Sequence, residues 1–145
     1  MNLKQFDREM IGEMHHIGVP LLRITLGIIF LWFGALKVFG VSPVVELVEK
    51  TFSFLPGGPL ILILGIVEVI IGIDLLFKFK LLPTLIILWI QMAGTLLALV
   101  LEPSMFFQNG NVLMLTTLGE FIIKNFVLIA ASIVVGGYEI KKPKK

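Results

Sequence analysis

The chain has 145 residues, of which 57% are hydrophobic and 15% are charged, and its mean hydropathy is +1.02. Soluble domains are about 45–50% apolar, so this composition excludes a water-soluble fold and indicates an integral membrane protein. The net charge of +2 gives no reason to expect nucleic acid as a partner, and the absence of cysteine excludes disulfides and thiolate metal sites.

Residues 1–18 precede the first long apolar stretch and have an amphipathic pattern. Their apolar side chains recur at helical spacing: Leu3, Phe6, Met10, Met14 and Ile17. The pattern predicts an N-terminal interfacial helix lying on the membrane surface. His15 and His16 are adjacent and point about 100° apart on a helix, so no metal site is predicted.

Four later stretches each approach or exceed the ~20 residues that cross a bilayer as a helix. The predicted transmembrane helices are residues 20–40, 59–77, 81–101 and 112–137. Residues 43–54 predict a short external amphipathic helix, with Ser42 as its N-cap and Pro43 as its first residue. A basic tail, 138–145, follows the last span. The predicted fold is an all-α integral membrane protein, a bundle of four transmembrane helices.

The distribution of basic residues predicts the orientation of the bundle. They concentrate near the two termini and in the turn between the second and third spans: Lys4, Arg8, Lys78, Lys80 and the KKPKK tail. We therefore expect both termini and this turn on the cytoplasmic side of the cell's inner membrane. The loops 41–58 and 102–111 are expected on the other side.

One stripe of the first span carries cations and glycines together. Its members return within about 40° of one direction on a helix: Arg23, Gly27, Phe30, Gly34 and Lys37. Small residues let a neighbouring helix approach closely. The stripe is therefore predicted to face protein, unless Arg23 and Lys37 extend to opposite membrane interfaces.

The other spans carry charged and amide side chains that need partners, because an unpaired charge in mid-membrane costs at least ~2.5–3.5 kcal/mol. We expect four of them to meet inside the bundle, with Asn125 beside them: Glu68, Gln91, Glu120 and Lys124. Such a cluster is either a functional polar cavity that binds a ligand or a network that only specifies helix pairing. The sequence contains no recognisable set of catalytic residues.

Three segments resemble the DoxX-like membrane proteins. They are RITLGIIFLWFGALKVFG in the first span, LGIVEVIIGI in the second and GEFIIKNFVLIAA in the fourth. The resemblance covers roughly residues 19–137 and is strongest to the branch that includes the inner-membrane protein of bacterial reactive-chlorine resistance. Relatives in that branch have aspartate where this chain has Asn125, and they have a longer first external loop.

The resemblance implies a four-helix membrane bundle with a link to redox biology. Some members are subunits of a thiosulfate:quinone oxidoreductase, and others accompany oxidative-stress responses. By resemblance, the polar positions of the family are Arg23, Lys37, Glu68 and Lys124.

These observations favour a non-catalytic accessory subunit that has no built-in cofactor, binds a quinone-like molecule and works with a redox partner protein. Two alternatives stay open. One is a transporter or channel for a proton or small solute, acting as a homo-oligomer, because intramembrane charges commonly line such paths. The other is a structural partner in the lipid bilayer, whose charges only direct assembly.

Overall fold

The computed structural model describes residues 3–141, with side chains from Gln5 onward. Six α-helices follow one another along this part of the chain: α1 Leu3–Val38, α2 Val45–Thr51, α3 Gly57–Phe77, α4 Leu81–Leu101, α5 Thr117–Ile123 and α6 Asn125–Glu139. Residues 142–145 of the predicted basic tail lie outside the described residues.

Four spans are long and apolar enough to cross a membrane: Gln5–Val38, Gly57–Phe77, Leu81–Leu101 and Thr117–Glu139. Only 28–39% of the residues in the apolar window of each span are buried inside the bundle. Large apolar side chains such as Trp32, Ile90 and Val127 are more than 60% exposed. An outer surface of this kind requires an apolar solvent, so the predicted all-helical, multi-pass membrane architecture is confirmed.

α1 is one uninterrupted helix through the boundary predicted near residue 19. Its 36 residues correspond to about 54 Å, whereas a bilayer's hydrocarbon core is about 30 Å thick. All residues from Gln5 to Gly18 are exposed, so this half of α1 projects beyond the other helices. Pro20 lies inside the helix, where its ring removes one backbone hydrogen bond.

α1 and α3 are the most intimately packed pair, and glycines form their contact. Gly27 lies opposite Gly72, and Gly34 lies opposite Gly65. A Cβ atom added to any of the four would come within 2.9 Å of an atom of the other helix. The two helices therefore pack backbone against backbone, as the glycine stripe predicted.

Two clusters of buried apolar side chains pack the other helices against this pair and against each other. The larger one joins α1, α3, α4 and α6 through Leu26, Ile71, Leu85, Leu88 and Val135. The smaller one joins α2, α4, α5 and the loop after α4 through Leu47, Ala98, Phe106 and Ile122. α2 thus covers one end of the bundle, here named the cap end. The opposite end, where residues 78–80 join α3 to α4, is named the turn end.

α2 is shorter than the predicted 43–54 helix. Residues 43–44 form a turn, and the helix begins at Val45, so the prediction of Ser42 as N-cap is wrong. The Ser42 hydroxyl accepts only a long 3.5 Å hydrogen bond from the Val44 amide. On the exposed side, Lys50 donates to Glu46 at 2.7 Å, and this hydrogen bond lowers the pKa of the Glu46 carboxyl.

The fourth span begins at Thr117, five residues later than the predicted start at 112. Residues 108–110 form a short 3-10 turn, and Thr116 then caps α5 by accepting a hydrogen bond from the Gly119 amide at 3.1 Å. The helical hydrogen bonding is irregular at Lys124, which separates α5 from α6.

Candidate functional site

Three polar side chains from three spans meet in the interior. The Lys37 ammonium of α1 lies 2.6 Å from Glu68 Oε2 of α3. The Gln91 amide of α4 donates through Nε2 to Glu68 Oε1, also at 2.6 Å. The side chains of Lys37 and Glu68 are only 9% and 8% exposed. We name these three residues the central triad.

The glycine contact explains how the triad forms. The Cβ atom of Lys37 lies directly against Gly65 of α3, one helical turn before Glu68. Because the two backbones are so close, the lysine side chain reaches a carboxylate deep in the bundle instead of extending to the membrane surface. An ionised carboxylate can only accept hydrogen bonds, so Glu68 fixes the orientation of the Gln91 amide.

A cavity of about 330 Å³ adjoins the central triad. Its walls are mainly apolar and include Phe30, Phe33, Met92 and Ile122. Residues of α2 close it at the cap end, among them Leu47, Val48 and Thr51. Besides the triad, Thr95 and Asn125 contribute polar groups to its lining. The volume lies in the range of roughly 300–1,000 Å³ that is typical of small-molecule sites.

Two residues predicted for the interior cluster lie elsewhere. Glu120 and Lys124 are exposed on the outside of the bundle, so the prediction that they meet Glu68 and Gln91 is wrong. The packing of α5 explains their position, because Gly119 and Ile122 are buried against the loop after α4. Asn125, one residue beyond Lys124, turns inward and is buried at the cavity.

Arg23 belongs to a second ionic cluster at the turn end. Its Nε atom lies 2.8 Å from Glu139 Oε2 of α6, and the Lys78 ammonium lies 2.9 Å from the same oxygen. The guanidinium also donates to the carbonyls of Leu75 and Leu76, which lie in the last turn of α3. Such carbonyls lack helical partners and carry the negative end of the helix dipole.

Glu139 was missed because the fourth span was predicted to end at residue 137. The sequence did contain a clue, because Glu139 is the only acidic residue after Lys124. It was therefore the only acidic partner that the end of the fourth span could offer to Arg23. Lys78 pairs with this residue rather than with Asp74, the acidic residue one turn before it.

Asp74 stabilises the turn between α3 and α4 by accepting backbone hydrogen bonds. Its Oδ1 atom accepts a hydrogen bond from the Lys80 amide at 2.7 Å, and its backbone carbonyl accepts one from the Lys78 amide at 2.7 Å. Lys78 adopts a left-handed conformation with φ 59°, which ends α3 and reverses the chain.

Glu139 and Lys78 should contribute unequally to the free energy of unfolding. Replacing Glu139 with alanine removes the carboxylate from the buried Arg23, and we expect a loss of about 2 kcal/mol in unfolding free energy. Replacing Lys78 with alanine should cost less than about 1 kcal/mol, because its side chain is 47% exposed. Denaturant titration in detergent micelles would measure both, and equal losses would contradict the buried arrangement.

Comparison with protein-family models, with curated proteins and with solved structures gave no significant match.

Proposed function

We propose that this protein is a DoxX-like membrane subunit that binds a small amphipathic, quinone-like molecule in the cavity beside the central triad. The observation that carries the proposal is the combination of mainly apolar walls with a buried lysine, carboxylate and amide on one side. Apolar pockets with a few convergent polar groups are typical of small-molecule sites.

The chemistry of the lining suits a ring that bears oxygen atoms. Phe30, Phe33 and Met92 offer flat or adaptable apolar contacts to a ring. A Lys ammonium has three donor hydrogens, and Lys37 directs one of them to Glu68. The others, together with the Asn125 amide, are suitable donors for the oxygens of a quinone.

In this proposal the protein is an accessory subunit and a partner protein supplies the redox centre. The chain has no cysteine, and its two histidines, His15 and His16, lie in the projecting half of α1, far along the helix from Lys37. The quinone-like molecule would therefore exchange electrons with the partner rather than with a group held by this chain.

Purification in native lipid, followed by mass spectrometry of bound small molecules and companion chains, tests the proposal. We expect a quinone to copurify with the wild-type chain and with Lys124→Met, whose altered side chain lies outside the cavity. The quinone should be lost from the double variant Lys37→Met/Glu68→Leu, which removes both charges together. A wild-type protein that contains no quinone and binds no added short-chain benzoquinone would refute the proposal.

Filling the cavity gives an independent prediction. Gly94 lines the cavity, and a Cβ atom built there meets no other atom within 4 Å. Gly94→Phe should therefore lower the affinity for a short-chain benzoquinone at least about tenfold, roughly 1.4 kcal/mol, without reducing the yield of folded protein. Gly94→Ala is the matched control and should bind normally in a fluorescence-quenching titration. Equal affinity in both variants would place the ligand elsewhere.

We propose the topology that the basic residues predict, with the turn end in the cytoplasm and the cap end outside. The projecting half of α1 then lies on the cytoplasmic side of the inner membrane, and α2 lies at the outer surface. Single cysteines at exposed positions test this in whole cells, since the chain has no cysteine of its own. Labelling by a membrane-impermeant maleimide is expected at Ser53 and not at Phe79.

A further inference from the structure

The outward side of the fourth span carries two opposite charges. Glu120, Lys124, Val127 and Val134 point within about 40° of one direction on a continuous helix, and all four are exposed. We name these residues the outer face.

Lys124 lies inside the fourth span, Thr117–Glu139. Its neighbour Asn125 lines the same cavity as Glu68 and Gln91. Lys124 is seven residues after Thr117, about 10 Å along the helix. No acidic side chain among residues 5–141 lies within ion-pair distance of it. A lysine left against lipid inside a span is costly, by ~2.5–3.5 kcal/mol at the helix centre on the insertion scale.

We propose that a second copy of this chain covers the outer face and forms a two-fold dimer. A two-fold axis along the membrane normal places two fourth spans side by side and parallel. The same patch of each copy then meets itself. Glu120 of one copy opposes Lys124 of the other, and the symmetry repeats the contact. The four-residue offset corresponds to a rise of about 6 Å, which the long lysine stem can span.

The pairing explains why an acid and a base occur on one face. One acid and one base, one turn apart, make the face complementary to its own copy. The apolar residues Val127 and Val134 continue the face toward the turn end and supply packing contacts. The contact is independent of the cavity, which lies on the other side of α5 and α6.

Charge reversal provides the first test. Glu120→Lys carries two bases on the outer face and Lys124→Glu carries two acids, so each variant repels itself and complements the other. The two variants are co-expressed with different tags and purified in mild detergent. The amount of one variant that copurifies with the other should be several-fold greater than the amount that copurifies with a differently tagged copy of itself. Equal recovery in all combinations, or a wild-type chain that is single-copy in native lipid, would overturn the proposal.

Cysteine crosslinking provides a second test that leaves both charges in place. Val127 and Ile90 are each 68% exposed but belong to different spans, and the chain contains no native cysteine. Oxidation in membranes should link Val127→Cys into a dimer and leave Ile90→Cys unlinked. If Lys124 instead reaches a lipid phosphate, the Val127→Cys chain will stay single. That result, a link to a different protein, or equal linking at both positions would refute the two-fold dimer.

Discussion

Glu68→Leu is expected to lower the free energy of unfolding by about 3–5 kcal/mol, the usual cost of breaking a buried ion pair from one side. The substitution leaves the Lys37 ammonium without its counter-charge and the Gln91 amide without its acceptor. SDS titration followed by tryptophan fluorescence would measure the loss.

The double variant Lys37→Met/Glu68→Leu should recover most of that loss, because it removes both charges and keeps similar side-chain volumes. Combining Glu68→Leu with Lys50→Met is the matched control and should recover nothing, since Lys50 pairs only with the exposed Glu46, outside the triad. If the Lys37 double variant is as unstable as Glu68→Leu alone, the two residues do not stabilise each other.

Adding a single methyl group between α1 and α3 should be almost as damaging. A Cβ atom at Gly72 would lie 2.5 Å from the Leu31 nitrogen, and one at Gly34 would lie 2.6 Å from the Val69 nitrogen. Backbone atoms cannot rotate away, so the helices must separate. We expect Gly72→Ala and Gly34→Ala each to cost about 3 kcal/mol, at the upper end of overpacking effects.

Gly94→Ala is the control for this pair, because the added Cβ meets open space. It should be neutral or up to about 1 kcal/mol stabilising, since alanine favours a helix over glycine. The same unfolding assay would compare the three variants. A Gly72→Ala protein as stable as Gly94→Ala would show that α1 and α3 are not in backbone contact.

The sequence predicted the membrane class and the contact stripe of α1, because both depend on local pattern. Apolar runs of about 20 residues have few alternatives to a spanning helix. Arg23, Gly27, Gly34 and Lys37 share one helical face whatever surrounds them. These features need no knowledge of which helices are neighbours.

The pairing of charges depends on how each helix is rotated, and the sequence did not fix that rotation. The fourth span carries polar groups on more than one side, so either Lys124 or Asn125 could face inward. Gly119 and Ile122 are buried against the loop after α4, and this packing rotates the helix so that Asn125 faces inward and Lys124 faces outward. The pairing of Lys37 with Glu68 also depends on a contact between helices, because the close approach of α1 to Gly65 brings the lysine to the carboxylate.

The close glycine contact has a consequence for biosynthesis. α1 and α3 are consecutive spans, and the ion pair between Lys37 and Glu68 lies entirely within them. The two helices can therefore leave the translocon as a hairpin whose inner charges already neutralise each other. Arg23 differs, because Glu139 is synthesised more than one hundred residues later. The ion pair between Lys37 and Glu68 can thus form during translation, whereas the pair between Arg23 and Glu139 can form only after the last span is inserted.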